Sequence, residues 1–177
     1  PRLRLPCRVT RTPLTLTEAR ATEVAFTAAN DAWADRFGNE GTPRPTELTR
    51  IVERVPGLKV IFEHITTTAA ADFVRTARPG VAATITPQHL LMNRNAIFEG
   101  GIRPHHYCLP ILKRESHRQA LVKAATSGNA KFFLGTDSAP HAVRTKETAC
   151  GCAGIFTAAA ALEVYAEMFD EEGALDR

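Results

Sequence analysis

The sequence has few cysteines and lacks any long apolar run. No stretch reaches the roughly 18 apolar residues that a membrane helix needs, and the opening PRLRLPCRV is too short and too interrupted for a secretory signal. The four cysteines are Cys7, Cys108, Cys150 and Cys152. A Cys-x-Cys pair has poor disulfide geometry and lacks the two-residue gap of a zinc knuckle. We therefore expect a cytoplasmic chain with reduced thiols and no membrane partner.

A strong excess of one charge is also missing. The chain has 22 Lys and Arg against 19 Asp and Glu, which gives a net charge of +3. Arginines concentrate only near the N-terminal end, at Arg2, Arg4, Arg8 and Arg11, and no aromatic residues interleave with them. A nucleic-acid interface needs a broader basic face, so we expect no nucleic-acid partner.

From Pro45 onward, apolar runs of strand length alternate with segments of helical period. This alternation predicts βα units and a parallel sheet, hence the α/β class. Two long loops, 88–112 and 138–154, interrupt the pattern, and such loops are usually functional. The predicted strands cover 59–62, 81–86 and 131–135, and the predicted helices cover 46–55, 69–77, a segment capped by Ser116 with Gln119 and ended by Gly128, and a segment built on Ala158, Leu162, Tyr165 and Phe169.

The first 44 residues differ from the rest. Thr15 and Glu18 have capping-box spacing, and aromatic and alanine residues then recur at helical intervals up to Gly38, which predicts a helix over 17–37. Residues 38–46, GNEGTPRPT, read as a linker. We therefore divide the chain into a mostly helical segment, 1–44, and an α/β domain, 45–177.

The segment Phe132 to Lys146, FFLGTDSAPHAVRTK, places a carboxylate just beyond a short apolar strand. Parallel α/β folds put their chemistry at this end of a strand. His141 follows Asp137 by four residues, across Pro140. An aspartate in this position is also a common turn residue. The pattern alone leaves both interpretations open, a catalytic carboxylate and a strand cap.

The whole segment resembles the second signature of the dihydroorotases, which are metal-dependent amidohydrolases on a TIM barrel. The matching residues are GTDSAPH at 135–141, followed after four residues by Lys146. The resemblance runs from about Pro45 to the C-terminus and is to the bacterial-type, single-function branch. Further matching segments are FEHITT at 62–67, ATITPQHL at 83–90, RPH at 103–105, YCLPILK at 107–113 and CGCAG at 150–154.

The resemblance implies a fold and a reaction. The three predicted strands would be the sixth, seventh and eighth of a (β/α)8 barrel, so about three βα units would form its C-terminal part and leave two sheet edges open. A complete barrel typically needs about 250 residues, more than the 177 present. Dihydroorotases interconvert N-carbamoyl-L-aspartate and (S)-dihydroorotate in pyrimidine (UMP) biosynthesis. Two zinc ions serve the reaction, in which a metal-held hydroxide attacks the carbonyl.

The resemblance also implies the roles of individual residues. His64 and Asp137 would each bind a zinc ion, and Asp137 would also act as general base. His141 would bind the substrate carboxylate, and the backbones of Leu109 and Ala153 would hydrogen-bond the substrate. Without the resemblance, plain packing or turn roles are the more common explanation for these residue types. Four further residues are interpreted as supporting or loop-fixing groups: His89, Arg103, His105 and Lys146. His106 and His117 are interpreted as surface residues.

Several features of the family are missing before residue 45. The first histidine is His64, so the His-x-His pair, the carboxylated lysine and a further histidine ligand have no counterpart. We expect either a fragment with an unrelated leader or a chain whose first half has been replaced. Three interpretations stay open: a dihydroorotase incomplete as this chain alone, a related cyclic amidohydrolase, and a non-catalytic remnant that binds a partner through its sheet edge. As a protein partner we expect either a second copy, in a homodimer, or a complementing N-terminal half.

Overall fold

The computed structural model describes residues 23–27, 47–149 and 151–176. Strands and helices alternate through this part of the chain. In chain order the elements are β1 (Glu23–Thr27), α1 (Glu47–Arg54), β2 (Lys59–Glu63), α2 (Thr68–Thr76), β3 (Val81–Ile85), α3 (Pro87–Leu91), α4 (Glu115–Ala125), β4 (Phe132–Leu134), α5 (Val143–Lys146) and α6 (Ala161–Glu171), with 3-10 turns at Arg94–Ile97, Pro104–His106 and Ala158–Ala160.

The four strands form one parallel sheet in the order β1-β2-β3-β4. In the register, Val60 lies opposite Val81, and Ala83 lies opposite Phe132. The α/β class and the parallel sheet are therefore confirmed. Because the strands are parallel, the segments that follow β2, β3 and β4 all begin at the same edge of the sheet, where the carboxyl ends of the strands lie.

The prediction of a helix over 17–37 is wrong at residues 23–27, which form β1. This strand pairs with β2 along its whole length, from Glu23 opposite Lys59 to Thr27 opposite Glu63. A local period cannot reveal a parallel partner more than thirty residues away, and strand formation depends strongly on such pairing. The other residues of that predicted helix and the linker 38–46 lie outside the described residues. The described sheet therefore has four strands, one more than the three predicted. The predicted domain boundary at residue 44 stays a prediction.

The long loop predicted at 88–112 contains ordered turns and a short helix. Thr86 is the N-cap of α3, its side chain accepts a hydrogen bond from the His89 amide, and Pro87 occupies the first turn. Thr followed by Pro is a recognised helix-start pattern. The start predicted for the next helix is wrong, because Arg114 is the N-cap of α4 and Ser116 lies inside it. Glu115 instead pairs with Arg118 at 2.6 Å.

Apolar side chains of the strands and helices form one main core. Its centre is the middle of the sheet, with Val60, Val81, Ala83 and Ile85 each about 1% exposed or less. Helix α6 is tied to this core because the Tyr165 hydroxyl donates a 2.7 Å hydrogen bond to the Ile85 carbonyl. No helix in the described part of the chain is long and apolar enough to cross a membrane. The helices contribute Leu48, Val52, Ala70, Ala71, Val74, Leu121, Val122, Ala161, Tyr165 and Met168 to the core.

Gly135, just after β4, lies against the side chain of Thr84 on β3. A Cβ at Gly135 would lie 2.8 Å from Thr84 Cβ, whereas a Cβ at Gly57 would meet no atom within 4 Å. We predict that Gly135→Ala lowers the free energy of unfolding by about 1–3 kcal/mol, the usual effect of overpacking. Gly57→Ala is the matched control and should stay within about 0.5 kcal/mol of the parent. Urea unfolding measures both, and equal stabilities of the two variants would contradict the prediction.

Candidate active site

The predicted site residues follow the ends of neighbouring strands. His64 comes directly after β2, and Asp137 is the third residue after β4. The side chains meet, with His64 Nδ1 3.5 Å from Asp137 Oδ2. They are 17% and 31% exposed, respectively, so both side chains are partly buried. Two residues separated by 73 positions in the sequence are thus brought together at one edge of the sheet.

The backbone at both residues is left-handed. His64 has φ 55° and Asp137 has φ 43°, and these are the two non-glycine residues with positive φ in the described part of the chain. This conformation is uncommon for residues that carry a Cβ and costs roughly 1–3 kcal/mol where it occurs. Such strain is concentrated at functional sites. The strain falls on the histidine and the aspartate that the sequence analysis selected as metal ligands.

Thr84, on the middle strand β3, supports both residues. Its hydroxyl oxygen accepts a 2.7 Å hydrogen bond from the His64 amide, and its carbonyl accepts one of 3.1 Å from the Ile65 amide. Its side chain also lies against Gly135, two residues before Asp137. Thr84 is 6% exposed. One buried side chain therefore fixes the backbone on both sides of the His64–Asp137 contact.

Burial raises the pKa of the Asp137 carboxyl above its ordinary value, and the neighbouring His64 opposes this change. The dominant cause is loss of water around the charged form. A raised pKa makes a carboxylate a better proton acceptor near neutral pH. The Asp137 carboxyl is therefore perturbed by its surroundings, as titratable groups at functional sites often are.

His141 and Ala153 form a second contact pair. The ring nitrogen Nε2 of His141 lies 3.0 Å from the Ala153 carbonyl oxygen, so this nitrogen carries the hydrogen. Gly154 permits the approach, because a Cβ there would lie 2.6 Å from the Ala139 carbonyl oxygen. The pair is connected to the first one by a bridge between Ser138, the neighbour of Asp137, and Ile155.

Leu109 is half exposed, at 55%. The buried His89 side chain contacts the next residue, Pro110. His89 Nε2 donates to the Pro110 carbonyl at 2.9 Å, and Nδ1 lies 2.6 Å from the Thr86 hydroxyl. Burial, with Asp137 nearby, raises the pKa of Cys108 to about 12. Its thiol stays protonated and donates to the same carbonyl at 3.2 Å. His89 and Cys108 thus fix the chain next to Leu109 without being exposed themselves.

Three further histidines, His105, His106 and His117, contact neighbouring segments. His105 pairs with Glu147 at 3.0 Å on the surface. His106 and His117, interpreted as surface residues, are partly buried. The Nδ1 atom of His106 donates to the Ala96 carbonyl at 2.8 Å, and that of His117 accepts from the Thr68 amide at 3.1 Å. Both histidines are thus partly exposed side chains that also contact a neighbouring segment. The Thr68 hydroxyl also lies 3.1 Å from His117 Nδ1. No local sequence pattern reveals these partners.

The donors present fit a zinc site in kind but not in number. An imidazole and a carboxylate are typical zinc ligands, and a zinc site needs at least three protein ligands. No group of three His, Cys, Asp or Glu side chains that could hold a metal ion occurs among the described residues. The described residues alone therefore do not complete a metal site.

Comparison with known proteins defines the class to which this arrangement belongs. The model of the Amidohydrolase family matches residues 21–176, so the chain belongs to the amidohydrolase family. The match begins 24 residues before the predicted domain start at residue 45.

Close relatives within this family are dihydroorotases, which confirms the resemblance stated from the sequence. The dihydroorotase of Aromatoleum aromaticum is 72% identical over 143 residues, or 81% of this chain and 42% of that protein. The crystal structure of the Saccharomyces cerevisiae dihydroorotase in complex with 5-fluoroorotic acid superposes with a TM-score of 0.66 and 36% identity, covering 73% of this chain and 37% of that one. The chain thus spans less than half the length of these relatives.

A more distant enzyme shares the fold. The L-hydantoinase of Arthrobacter aurescens superposes with a TM-score of 0.62 at 18% identity, covering 71% of this chain and 29% of that one. At this identity the likeness concerns the fold alone. The described α/β arrangement therefore also occurs in that enzyme.

The hydroxyl of Thr84 is predicted to be the group that stabilises the backbone of His64. Thr84→Val keeps the shape and removes the acceptor, which leaves the His64 amide without this partner and should cost about 1–3 kcal/mol of unfolding free energy. Thr84→Ser keeps the hydroxyl and should recover most of the loss. Urea unfolding of the three proteins is the measurement. If Thr84→Val is as stable as Thr84→Ser, the hydroxyl does not have this role.

His89 should make the chain less stable in acid. Burial lowers its pKa from 6.5 to about 4, so the folded state holds the neutral ring while the unfolded state protonates first. The stability contribution is complete above pH 6.5 and is lost as the pH falls toward 4, by on the order of 3 kcal/mol in total. We predict that the stability difference between the parent and His89→Gln shrinks across this window. Parallel pH–stability curves for the two proteins would contradict the prediction.

Proposed function

We propose that the chain supplies part of a dihydroorotase-type active site, which interconverts N-carbamoyl-L-aspartate and (S)-dihydroorotate in de novo pyrimidine biosynthesis. The observation that carries the proposal is the contact between His64 and Asp137, both in left-handed backbone, at one edge of a parallel sheet. A strand cap needs no such strain and no histidine partner. The similarity to dihydroorotases supports the choice of reaction.

In this proposal Asp137 moves the proton. During ring opening, water adds to the amide carbonyl, Asp137 takes a proton from that water, and the C–N bond breaks as the proton passes to the leaving nitrogen. Ring closure reverses each step, so the same carboxyl serves as acid and base. The raised pKa of Asp137 suits both directions. The carboxylate is partly exposed, at 31%, which lets it reach a bound substrate.

The substrate would be held by the second contact pair and by Leu109. His141 carries a ring N–H that now donates to the Ala153 carbonyl, and the same group can turn to a substrate carboxylate. The backbone groups of Leu109 and Ala153 would hydrogen-bond the ring. Gly154 lets the Ala153 backbone lie close to His141, because a Cβ there would lie 3.0 Å from His141 Cδ2. These roles come from the family resemblance and are consistent with the observed positions.

We further propose that His64 and Asp137 each contribute a ligand to the two zinc ions of the intact site. The remaining ligands must come from outside the described residues. The described sheet would form the C-terminal part of a TIM barrel. Strand β4 is an outer strand of the described sheet. Beside it lies a groove of about 460 Å³, whose lining includes the exposed side chains of Phe133, Leu134 and Leu162. An open edge of this kind suits a complementing N-terminal half that adds the next strand.

A decisive experiment combines this chain with the missing portion. We predict no dihydroorotase turnover by the purified, zinc-supplied chain alone, and turnover when it is co-expressed with the part of the Aromatoleum aromaticum dihydroorotase that it does not cover. In that assembly Asp137→Asn should lower the rate in both directions by about 10²–10⁴-fold through loss of the proton acceptor. His141→Ala should act at least partly through KM.

The matched control is Asp72→Asn, which makes the same chemical change on the surface of α2, where Asp72 pairs with Arg75 at 2.8 Å. It should leave the rate unchanged. Zinc content per assembly is measured alongside. Near-normal kcat for Asp137→Asn at full zinc occupancy would make Asp137 a strand cap. A zinc-loaded assembly that turns over no substrate would instead favour the non-catalytic, partner-binding interpretation.

A further inference from the structure

Lys146 is a buried cation outside the His64–Asp137 contact. It ends helix α5 and is 3% exposed. Its Nζ lies 3.0 Å from the Tyr107 carbonyl, 2.6 Å from the Cys152 carbonyl and 2.7 Å from the Gly154 carbonyl. Three acceptors at hydrogen-bond distance require three N–H donors, which only the charged ammonium has. All three acceptors are neutral backbone groups.

Burying the Lys146 ammonium in this way costs free energy. Burying an ammonium removes its hydration, and hydrogen bonds must replace it. Burial accordingly lowers the pKa of Lys146. The Tyr107 ring lies beside the amine, with Nζ 5.9 Å from the ring centre, which adds a favourable cation–π contact. The ammonium is therefore solvated by the loops themselves.

The three carbonyls belong to two loops that are far apart in sequence. Tyr107 lies two residues before Leu109, in the loop that follows β3. Cys152 and Gly154 flank Ala153, in the loop that follows β4. A 2.9 Å hydrogen bond from the Gly154 amide to the Tyr107 carbonyl joins the same loops directly. Lys146 thus sits at the junction of the two backbone segments that the proposed function assigns to substrate binding.

We propose that Lys146 is a positioning residue that locks the Leu109 and Ala153 segments into one substrate-binding surface. It does not contact the substrate and acts through the three carbonyls. This inference rests on the proposed function for the roles of Leu109 and Ala153. The joining of the two loops by one ammonium is a property of the fold and can be tested by itself.

The chain offers a matched control. The Lys131 amine also binds three carbonyls, those of Val74, Arg75 and Ala77 at the end of α2. Lys131 is only partly buried, and its partners lie in and just after a helix instead of in the two loops. Lys131→Met and Lys146→Met therefore remove the same kind of contact at two places, of which only one concerns the proposed substrate surface.

The first measurement is amide hydrogen exchange of the chain as it stands. We expect Lys146→Met to raise exchange by about tenfold or more in both 104–110 and 151–155, with β2 and β3 unchanged. Lys146→Arg, which keeps the charge and the donors, should reverse part of the effect. Lys131→Met should raise exchange only near residues 73–77. If Lys146→Met does not fold, Lys146→Gln, which keeps two N–H donors, takes its place.

The second measurement uses the catalytically active assembly described above. Lys146→Met should raise KM by about tenfold or more with a smaller change in kcat, since the binding surface is loosened and the proton path is kept. Lys131→Met should change neither constant. Increased exchange in only one loop, or the same increase throughout the sheet, would overturn the locking role. Unchanged KM with loosened loops would overturn the positioning role while the proposed function stands, whereas absence of turnover in the parent assembly would count against the proposed function alone.

Discussion

The arrangement of the site depends on the hydroxyl of Thr84 in the centre of the parallel sheet. Strand β3 lies between β2 and β4, so a residue near its end can touch the segments that follow both neighbours. Thr84 does so with a hydrogen bond to the His64 amide and a packing contact to Gly135. Because Gly135 has no side chain, β4 can approach the threonine closely, and this brings Asp137 within reach of His64.

The left-handed backbone at His64 and Asp137 needs compensation from its surroundings. The described fold provides it through contacts just outside the pair. Thr84 lies on one side. On the other, the Ser138 hydroxyl accepts hydrogen bonds of 3.1 Å and 3.0 Å from the amides of Thr157 and Ala158. Each contact contributes roughly 0.5–1.5 kcal/mol, comparable with the strain. Neighbouring contacts in the fold therefore hold the backbone on both sides of the pair.

The sequence predicted the parts of the fold that have a local signal. Strands β2, β3 and β4 were found because short apolar runs end at Glu63, Thr86 and Gly135, and the helices between them have a clear period. Strand β1 was missed because Phe26 also fits a helical period with Trp33 and Phe37. Its strand conformation depends on the parallel pairing with β2, which has no local signal. The Thr86-Pro87 start of α3 carried a readable signal that the long-loop interpretation ignored. The contact between His64 and Asp137 could be predicted from their positions after parallel strands. The left-handed backbone of the two residues could not be predicted from the sequence.

Lys146 shows why the remainder of the site could not be predicted. Its neighbours in sequence, Thr145 and Glu147, are exposed, and a lysine between them is usually a solvated side chain. What buries it are carbonyls contributed by Tyr107, Cys152 and Gly154, and carbonyl groups are the same in every residue, so they leave no trace in the sequence. A buried cation that is satisfied by side-chain carboxylates can be suspected from paired charges. A buried cation whose partners are backbone carbonyls can be identified only from the three-dimensional positions of the loops. The position of the two loops relative to each other is therefore information that the structure adds.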